Sequence, residues 1–130
     1  MKRNDTAAHF PLFPVLIDLS QKHVFLITDG NCDDETMLRI LRMVRPCTPY
    51  LTVLAPSPSP VLERSAGKQQ AVLMKKEYDR EDLYGADVVI CAAQDRALKD
   101  DVFAACRTLG IRLCILSEPQ RSDFCLAGQD

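Results

Sequence analysis

The sequence predicts an α/β domain with a mostly parallel sheet and helices on both faces, and three observations support this prediction. Short apolar runs of the kind that form buried strands alternate along the chain with segments of helical periodicity. The connections between these runs are short and rich in Gly, Pro and Asp. A strand, a glycine turn and an amphipathic helix follow one another at residues 23–44. Such alternation is typical of parallel sheets, because each crossover helix covers one face of the sheet.

The unit at residues 23–44 is the clearest of these elements. Residues 24–27 form an apolar run that predicts a strand buried on both faces, and residues 29–31 (Asp-Gly-Asn) supply turn chemistry. Asp33 and Asp34 are suited to cap the helix that follows. The apolar stripe of that helix is Met37, Ile40, Leu41 and Val44. Strand, glycine turn and helix are the start of a Rossmann-like, dinucleotide-binding fold.

The remaining elements follow the same alternation. Further strands are predicted at residues 51–55, 71–74, 86–93 and 111–116, with a short last strand at 124–127. A short helix is predicted at residues 61–67, and a longer one, with an apolar face from Leu98 to Leu109, ends at a left-handed cap on Gly110. Residues 79–83 read as a polar turn. Residues 9–19 are predicted to be an extended lead-in packed on the core, and residues 1–8 to be disordered.

Length and composition limit the class of protein. The 130 residues suit one domain, 1–130, and the net charge of −2 with scattered Lys and Arg does not favour a nucleic-acid partner. No segment has the roughly 20 apolar residues of a membrane span, and no signal peptide is apparent, so we expect a cytoplasmic protein without membrane contact. Six cysteines without a C-x-x-C pair predict reduced thiols and no metal site.

Four segments carry a resemblance to a known family. Residues 13–19 (FPVLIDL) lead into the first strand without a gap, and residues 51–56 (LTVLAP) end the second strand on a proline. Residues 82–93 (DLYGADVVICAA) contain the predicted fourth strand, and residues 118–124 contain Glu-Pro and Ser-Asp-Phe. Together and in this order they resemble the dehydrogenase domain of siroheme synthase, the precorrin-2 dehydrogenase and sirohydrochlorin ferrochelatase family.

The resemblance implies a fold, a cofactor, a substrate and partners. Members of the family use NAD to oxidise the tetrapyrrole precorrin-2 to sirohydrochlorin, and some also insert ferrous iron. The family continues beyond the position of Asp130 into a helical dimerisation region, so a second copy or a complete enzyme is an expected partner. The alignment places the family's catalytic aspartate on Ser117. It places the family's glycine turn on Thr28, Asp29, Gly30, Asn31, Cys32 and Asp33.

The residues at this turn argue against NAD binding. A dinucleotide turn needs glycines so that backbone N–H groups can approach the pyrophosphate, and Gly30 alone remains. Thr28 would be strained at positive φ, and Asp33 stands where a small residue packs helix against strand. An acid about 8 Å from one phosphate charge costs roughly 2 kcal/mol at an effective dielectric of 20, before salt screening. The acids concerned are Asp29, Asp33, Asp34 and Glu35.

Other interpretations of these residues stay open. The four acids suit helix capping and a solvated face, a divalent-cation site, or a contact surface for a basic partner. Gln94 and Asp95 follow the predicted strand at 86–93, at the edge where open α/β sheets bind ligands, although loop capping explains Asp95 equally well.

Three further candidates have weak signals. His9 and His23 could act near a tetrapyrrole, but ordinary polar roles are favoured. Asp123 could contact substrate or cap a turn, and no activating His or Lys is evident beside Ser117. Three functions therefore remain: an active dehydrogenase with an unusual turn, a tetrapyrrole- or metal-binding protein without redox chemistry, and a scaffold subunit that has lost NAD binding and pairs with a complete enzyme.

Overall fold

The computed structural model describes residues 11–128, so the expectations for residues 1–8 and His9 lie outside the described part of the chain. The strands are β1 (Val24–Thr28), β2 (Leu51–Leu54), β3 (Val72–Met74), β4 (Val88–Ala92) and β5 (Arg112–Ile115). The helices are α1 (Asp34–Val44), α2 (Pro60–Lys68) and α3 (Arg96–Leu109), with 3₁₀ turns at Arg45–Cys47, Arg80–Leu83 and Pro119–Arg121. No helix within residues 11–128 is long and apolar enough to cross a membrane.

All five strands form one parallel sheet in the order β3-β2-β1-β4-β5. β1 is central, and Val24 pairs with Leu51 on one side and with Val88 on the other. The chain first builds outward from β1 to β3 and then returns to place β4 on the opposite side of β1. The Rossmann-like α/β prediction is confirmed, and the carboxyl ends of β1 and β4 mark the point where the strand order reverses.

Side chains that alternate along the strands form two separate cores. Val24 and Leu26 face α1 and α2, whereas Ile27 faces α3. β4 is buried at all five positions because helices cover both sides of the sheet. The predicted stripe of α1 is buried as expected, and Gly110 ends α3 at a φ of 70°, which is the left-handed cap that the sequence predicts.

The lead-in segment differs from its prediction. Residues 11–18 are exposed, and Leu19 is the first side chain of this segment to pack against the core. The expectation that the whole lead-in packs on the core is therefore wrong. Both core faces are already filled by helices, so the apolar side chains of the lead-in have no buried face to occupy.

No short last strand forms at residues 124–127. The outer edge of β5 is taken by side chains, because the N–H of Leu113 donates to the Asp123 carboxylate (2.9 Å) and the N–H of Ile115 donates to Ser122 Oγ (2.8 Å). The N–H of Asp123 also donates to the carbonyl of Leu113 (2.7 Å), but side chains take the two N–H groups of β5 that a further strand would need for regular pairing. Phe124 instead packs against the core that β1, α1 and α2 share.

Candidate functional site at the carboxyl edge of the sheet

An open cleft of about 740 Å³ lies beyond the carboxyl ends of the strands, at the point where the strand order reverses. The β1–α1 turn, the segment after β3 and the start of α3 form its walls. We call it the switch-point cleft. Its lining residues are Thr28, Asp29, Asn31, Pro56, Glu77, Tyr78, Asp79, Arg80, Asp95, Ala97, Leu98 and Asp101. Open α/β sheets bind ligands at this place.

The carboxylate of Asp29 occupies the backbone donors at the floor of the switch-point cleft. Oδ2 accepts hydrogen bonds from the N–H groups of Gln94 (3.0 Å) and Asp95 (2.8 Å). Oδ1 accepts one from the N–H of Asn31 (3.0 Å). Burial alone would raise the pKa of Asp29, but the three N–H groups outweigh it and hold the pKa below its usual value of 3.8. Asp29 is therefore an ionised side chain that takes one N–H group of the β1–α1 turn and two of the loop after β4.

The β1–α1 turn avoids the strain that the sequence predicts for Thr28. Thr28 is the last residue of β1, and positive φ falls on Gly30 instead, at 89°. The buried Thr28 hydroxyl donates to the carbonyl of Ala92 (3.2 Å) and accepts from the N–H of Gly30 (3.2 Å). Its side chain thus joins β1 to β4 where a glycine would leave open space.

The remaining turn residues serve the helices. Asp33 is exposed and caps α1, because it accepts from the N–H of Thr36 (3.3 Å) and from its hydroxyl (2.7 Å). Asp33 does not stand where a small residue would pack helix against strand, as the alignment implies, since the half-buried Cys32 contacts the core there. Asp34 accepts from Ser59 Oγ (2.9 Å), which also caps α2 through the N–H of Leu62.

Three cleft residues were missed by the sequence reasoning. Tyr78 Oη donates to Asp101 Oδ2 (2.8 Å), and Arg80 forms a salt bridge with Asp101 Oδ1 (2.7 Å). Burial and then the Asp101 carboxylate raise the pKa of Tyr78, while the Arg80 hydrogen bond lowers that of Asp101. The sequence does not connect Tyr78 and Arg80 with Asp101, because Asp101 lies far from them in the chain. The available signal was that polar residues follow a strand, which is usual for the wall of a cleft.

The switch-point cleft is acidic overall. Its lining includes the carboxylates Asp29, Glu77, Asp79, Asp95 and Asp101 against the single arginine Arg80. Asp95 also caps α3 by accepting from the N–H of Leu98 (2.9 Å), so loop capping is confirmed for it. Gln94 contributes its backbone N–H. The donor set and the charge of this cleft do not fit a dinucleotide pyrophosphate.

Ser117 lies in a different cleft, of about 610 Å³, beside the loop that follows β5. Lys99 Nζ donates to Ser117 Oγ (3.4 Å) and forms a salt bridge with Glu118 (3.0 Å). The sequence does not display this contact, because Lys99 lies in α3, 18 residues before Ser117. An ion-paired ammonium that donates a hydrogen bond cannot accept the serine proton.

The weaker candidates have structural roles. His23 stacks on Tyr50, with ring centroids 4.7 Å apart. Asp123 holds the N–H of Leu113 and forms a salt bridge with Arg107 (2.8 Å), so it serves the edge of β5. Among residues 11–128, no three His, Cys, Asp or Glu side chains are grouped so that they could hold a metal ion.

The fold and the switch-point cleft define a class, namely Rossmann-like domains with a ligand cleft at the carboxyl edge of a parallel sheet. Residues 15–128 match the family model NAD_binding_7, described as "Putative NAD(P)-binding". The chain belongs to this NAD(P)-binding family. Siroheme synthase from Psychrobacter sp. (strain PRwf-1) is 26% identical over 112 residues, which is 86% of this chain and 22% of that protein.

A solved structure supports the same fold. SirC, precorrin-2 dehydrogenase, superposes with a TM-score of 0.64 at 21% identity, covering 82% of this chain and 50% of that chain. The chain thus spans about half of that structure and less than a quarter of the siroheme synthase. The resemblance to the siroheme synthase family is confirmed, and this chain is a divergent member.

Proposed function

We propose that this chain is a tetrapyrrole-biosynthesis protein that works without NAD, as a non-catalytic subunit of the siroheme synthase family. The observation that carries the proposal is the Asp29 carboxylate on the backbone N–H groups of Gln94, Asp95 and Asn31. The relatives are named siroheme synthase and precorrin-2 dehydrogenase, which supports the pathway and the tetrapyrrole as substrate class.

Electrostatics support the loss of the cofactor. A pyrophosphate entering the switch-point cleft would have to displace an ionised carboxylate from its hydrogen bonds and remain beside four more. Each such pair at about 8 Å costs roughly 2 kcal/mol at an effective dielectric of 20. The dipole of α1 supplies only about 0.3–1 kcal/mol per charge, so it cannot offset them.

The chemistry at Ser117 supports the loss of catalysis. A general base must accept a proton near the operating pH, and its loss typically costs about 10²–10⁴-fold in rate. The Ser117 hydroxyl has a donor, Lys99, rather than an acceptor as its neighbour. By this argument neither hydride acceptor nor proton acceptor is present for precorrin-2 oxidation.

The partner and compartment belong to the same proposal. A subunit without its own reaction acts by holding a tetrapyrrole or by pairing with a second copy or a complete enzyme. We place it in the cytoplasm, because all six cysteines are free and a reducing compartment keeps them so.

Calorimetric titration with NAD at low salt tests the loss of cofactor binding. We expect no binding by the unmodified chain in the micromolar range. Asp29→Gly should gain affinity, because it frees three N–H groups and removes a charge. The matched control is Glu77→Gln, which removes a cleft charge without freeing those donors and should gain less. Micromolar NAD binding by the unmodified chain would overturn the proposal.

An absorbance assay for conversion of precorrin-2 tests the loss of catalysis. We expect no NAD-dependent turnover by the chain alone. Asp29→Gly combined with Ser117→Asp should restore some turnover if these two groups account for the loss. Difference spectra of the tetrapyrrole with the unmodified chain separate a binding subunit from a pure scaffold, because a bound macrocycle changes its absorption. Turnover by the unmodified chain would instead establish an active dehydrogenase.

A further inference from the structure

The outward faces of α1 and α2 carry four cations that are scattered in the sequence. Arg39 and Arg42 lie three residues apart on α1, a spacing that places them on one face of the helix. Arg64 and Lys68 lie four residues apart on α2 and also share a face. All four side chains are exposed, because the opposite faces of both helices are buried in the same core. We call these four residues the α1–α2 face.

Two hydrogen bonds show that α1 and α2 lie side by side and run in the same direction. Near the amino ends, Ser59 Oγ donates to the carboxylate of Asp34 (2.9 Å). At the carboxyl ends, Arg45 Nε donates to the carbonyl of Gln69 (2.5 Å). Neighbouring helices pack about 8–10 Å apart, so a ligand that contacts the cations of one helix also reaches those of the other.

The four cations lie at matching levels along the two helices. Arg39 and Arg64 each come five residues after the amino-terminal contact between the helices, and Arg42 and Lys68 come eight and nine residues after it. At a rise of about 1.5 Å per residue, the first pair lies about 7.5 Å and the second about 12–13 Å along the helices. The α1–α2 face is therefore a two-by-two grid of positive charges, with spacings of about 5 and 9 Å at the level of the backbone.

Most of the charge on this grid has no partner in the described part of the chain. Arg42, Arg64 and Lys68 form no hydrogen bond or salt bridge within residues 11–128. Arg39 acts electrostatically on Asp33, at the amino end of α1. The α1–α2 face thus presents uncompensated positive charge to the solvent, whereas the switch-point cleft is acidic.

Helix stabilisation accounts for part of this arrangement. Arg42 and Lys68 lie in the last turns of their helices, where the helix dipole favours cations. Glu35 precedes Arg39 by four residues, which is a stabilising spacing, although the two form no salt bridge. Arg64 lies in the middle of α2 and has no acid three or four residues away on that helix. Neither effect requires the cations of both helices to lie at the same levels on one surface.

We propose that the α1–α2 face is a docking surface for an acidic segment of another protein, whose carboxylates pair with the four cations. A guanidinium binds a carboxylate through two parallel hydrogen bonds, and three of the four cations are arginines. A helix with glutamates three or four residues apart presents carboxylates at steps of about 5–6 Å, which match the two levels of the grid. The inference does not rest on the proposed function, because the face shares no residue with the switch-point cleft.

Other anionic partners fit this surface less well. Phosphate groups bind at the amino ends of helices, whereas the grid lies toward the carboxyl ends of α1 and α2. Single-stranded nucleic acids stack on aromatic side chains, and these two helices contain none. Binding in a membrane interface needs apolar anchors among the cations, and Val61 is the one large apolar side chain exposed on α1 and α2. Carboxylates on a protein segment are the best match.

Fluorescence anisotropy with a labelled, alanine-rich helical peptide tests the inference, with glutamates at positions i, i+3, i+4 and i+7. We expect the full chain to bind this peptide with a dissociation constant below about 1 mM at about 20 mM salt, and more weakly at about 200 mM, because salt screens exposed pairs. The same peptide with lysines in place of the glutamates should not bind. Tighter binding of duplex DNA or of phosphatidylglycerol vesicles under the same conditions would overturn the assignment to a protein segment.

Charge reversal on the α1–α2 face locates the site. Arg42→Glu combined with Arg64→Glu should weaken binding about tenfold or more, because it replaces two attractive contacts by repulsive ones. The matched control is Lys22→Glu combined with Arg96→Glu, which changes the net charge equally at exposed positions outside the face and should weaken binding less than about threefold. Amide NMR shifts caused by the peptide should fall on α1 and α2 of the unmodified chain, which tests the site without any substitution. Equal losses in the two double variants, shifts confined to other elements, or no binding at about 1 mM would overturn the inference.

Discussion

The carboxylate of Asp29 joins two loops that are 65 residues apart in sequence and adjacent at the switch point. Rossmann-like domains use N–H groups of the turn after the first strand to bind an anionic ligand, and here the Asp29 carboxylate takes the N–H of Asn31 in that turn. The same carboxylate fixes this turn to the loop after β4 and puts a negative charge where an anion would bind. Because the Asp29 carboxylate also stabilises the fold, its contribution can be measured from the free energy of unfolding without any ligand.

Removal of the Asp29 side chain should destabilise the fold. Asp29→Ala leaves three N–H groups without their acceptor, and water reaches them in part, so we expect a loss of about 1–2 kcal/mol in the free energy of unfolding. Asp29→Asn keeps an acceptor oxygen and should lose less. Urea denaturation at pH 7 measures both, with Glu77→Gln as the control for removal of a cleft charge. Equal stability of Asp29→Ala and the unmodified chain would contradict this role.

The pH dependence of stability should follow the same group. The pKa of Asp29 is lower in the folded chain than its usual 3.8, so the unfolded chain binds the proton more readily. The contribution of Asp29 is therefore complete above pH 3.8 and is lost as the pH falls through the folded-state pKa. The gap in stability between the unmodified chain and Asp29→Asn should narrow over this acidic range.

At the scale of elements, each helix is ended by local chemistry that the sequence displays. Asp33, Ser59 and Asp95 cap the three amino ends, and Gly110 ends α3 in the left-handed conformation. Gly67 contrasts with Gly110, because it lies inside α2 at ordinary helical geometry and does not end the helix. An added methyl group meets no atom within 4 Å at either glycine, so backbone conformation alone separates them.

Alanine at the two glycines should have opposite effects on stability. Gly110→Ala forces a side chain into φ of 70° and should cost about 1 kcal/mol. Gly67→Ala should stabilise the chain by about 0.5 kcal/mol, because it reduces the freedom of the unfolded chain and improves helix propensity. Thermal denaturation followed by circular dichroism compares them directly. If both variants changed the melting temperature in the same direction, the left-handed conformation of Gly110 would not explain the effect of Gly110→Ala.

At the scale of the whole molecule, the six thiols differ in burial, and the buried ones can be used to test how tightly the two cores are closed. Cys91, Cys106 and Cys114 are buried, Cys32 is half-buried, and Cys47 and Cys125 are exposed. Burial raises the pKa of Cys91 to about 11 and those of Cys106 and Cys114 to about 12. A thiol reacts as the thiolate, so burial slows the reaction both by excluding the reagent and by raising the pKa.

Thiol labelling at pH 8 should therefore proceed in steps. Cys47 and Cys125 should react at once, and Cys32 more slowly, because burial and the nearby acids raise its pKa. The three buried thiols should react at the rate of global unfolding. Mass spectrometry after a disulfide-exchange reagent identifies each site, and a denatured sample supplies the total. Rapid native labelling of Cys106 would show that the core beside α3 opens locally.

The sequence by itself determined the fold class, the stripe of α1 and the cap at Gly110. These follow from periodicity and from turn chemistry, which act between residues close in the chain. It also showed that the glycine turn is altered and that acids surround it. Local rules were less reliable where the structure of a segment depends on whether other elements already cover the core or a sheet edge. For this reason the predictions for the lead-in and for residues 124–127 were wrong.

Only the tertiary structure decided what the altered residues do. It brought Gln94 and Asp95 to Asp29, placed Lys99 beside Ser117, and turned Cys32 rather than Asp33 toward the core. These contacts join residues far apart in sequence, so no local pattern could report them. Parallel pairing of β1 with β4 brings their carboxyl ends together, and for that reason one carboxylate can close a site assembled from two distant loops.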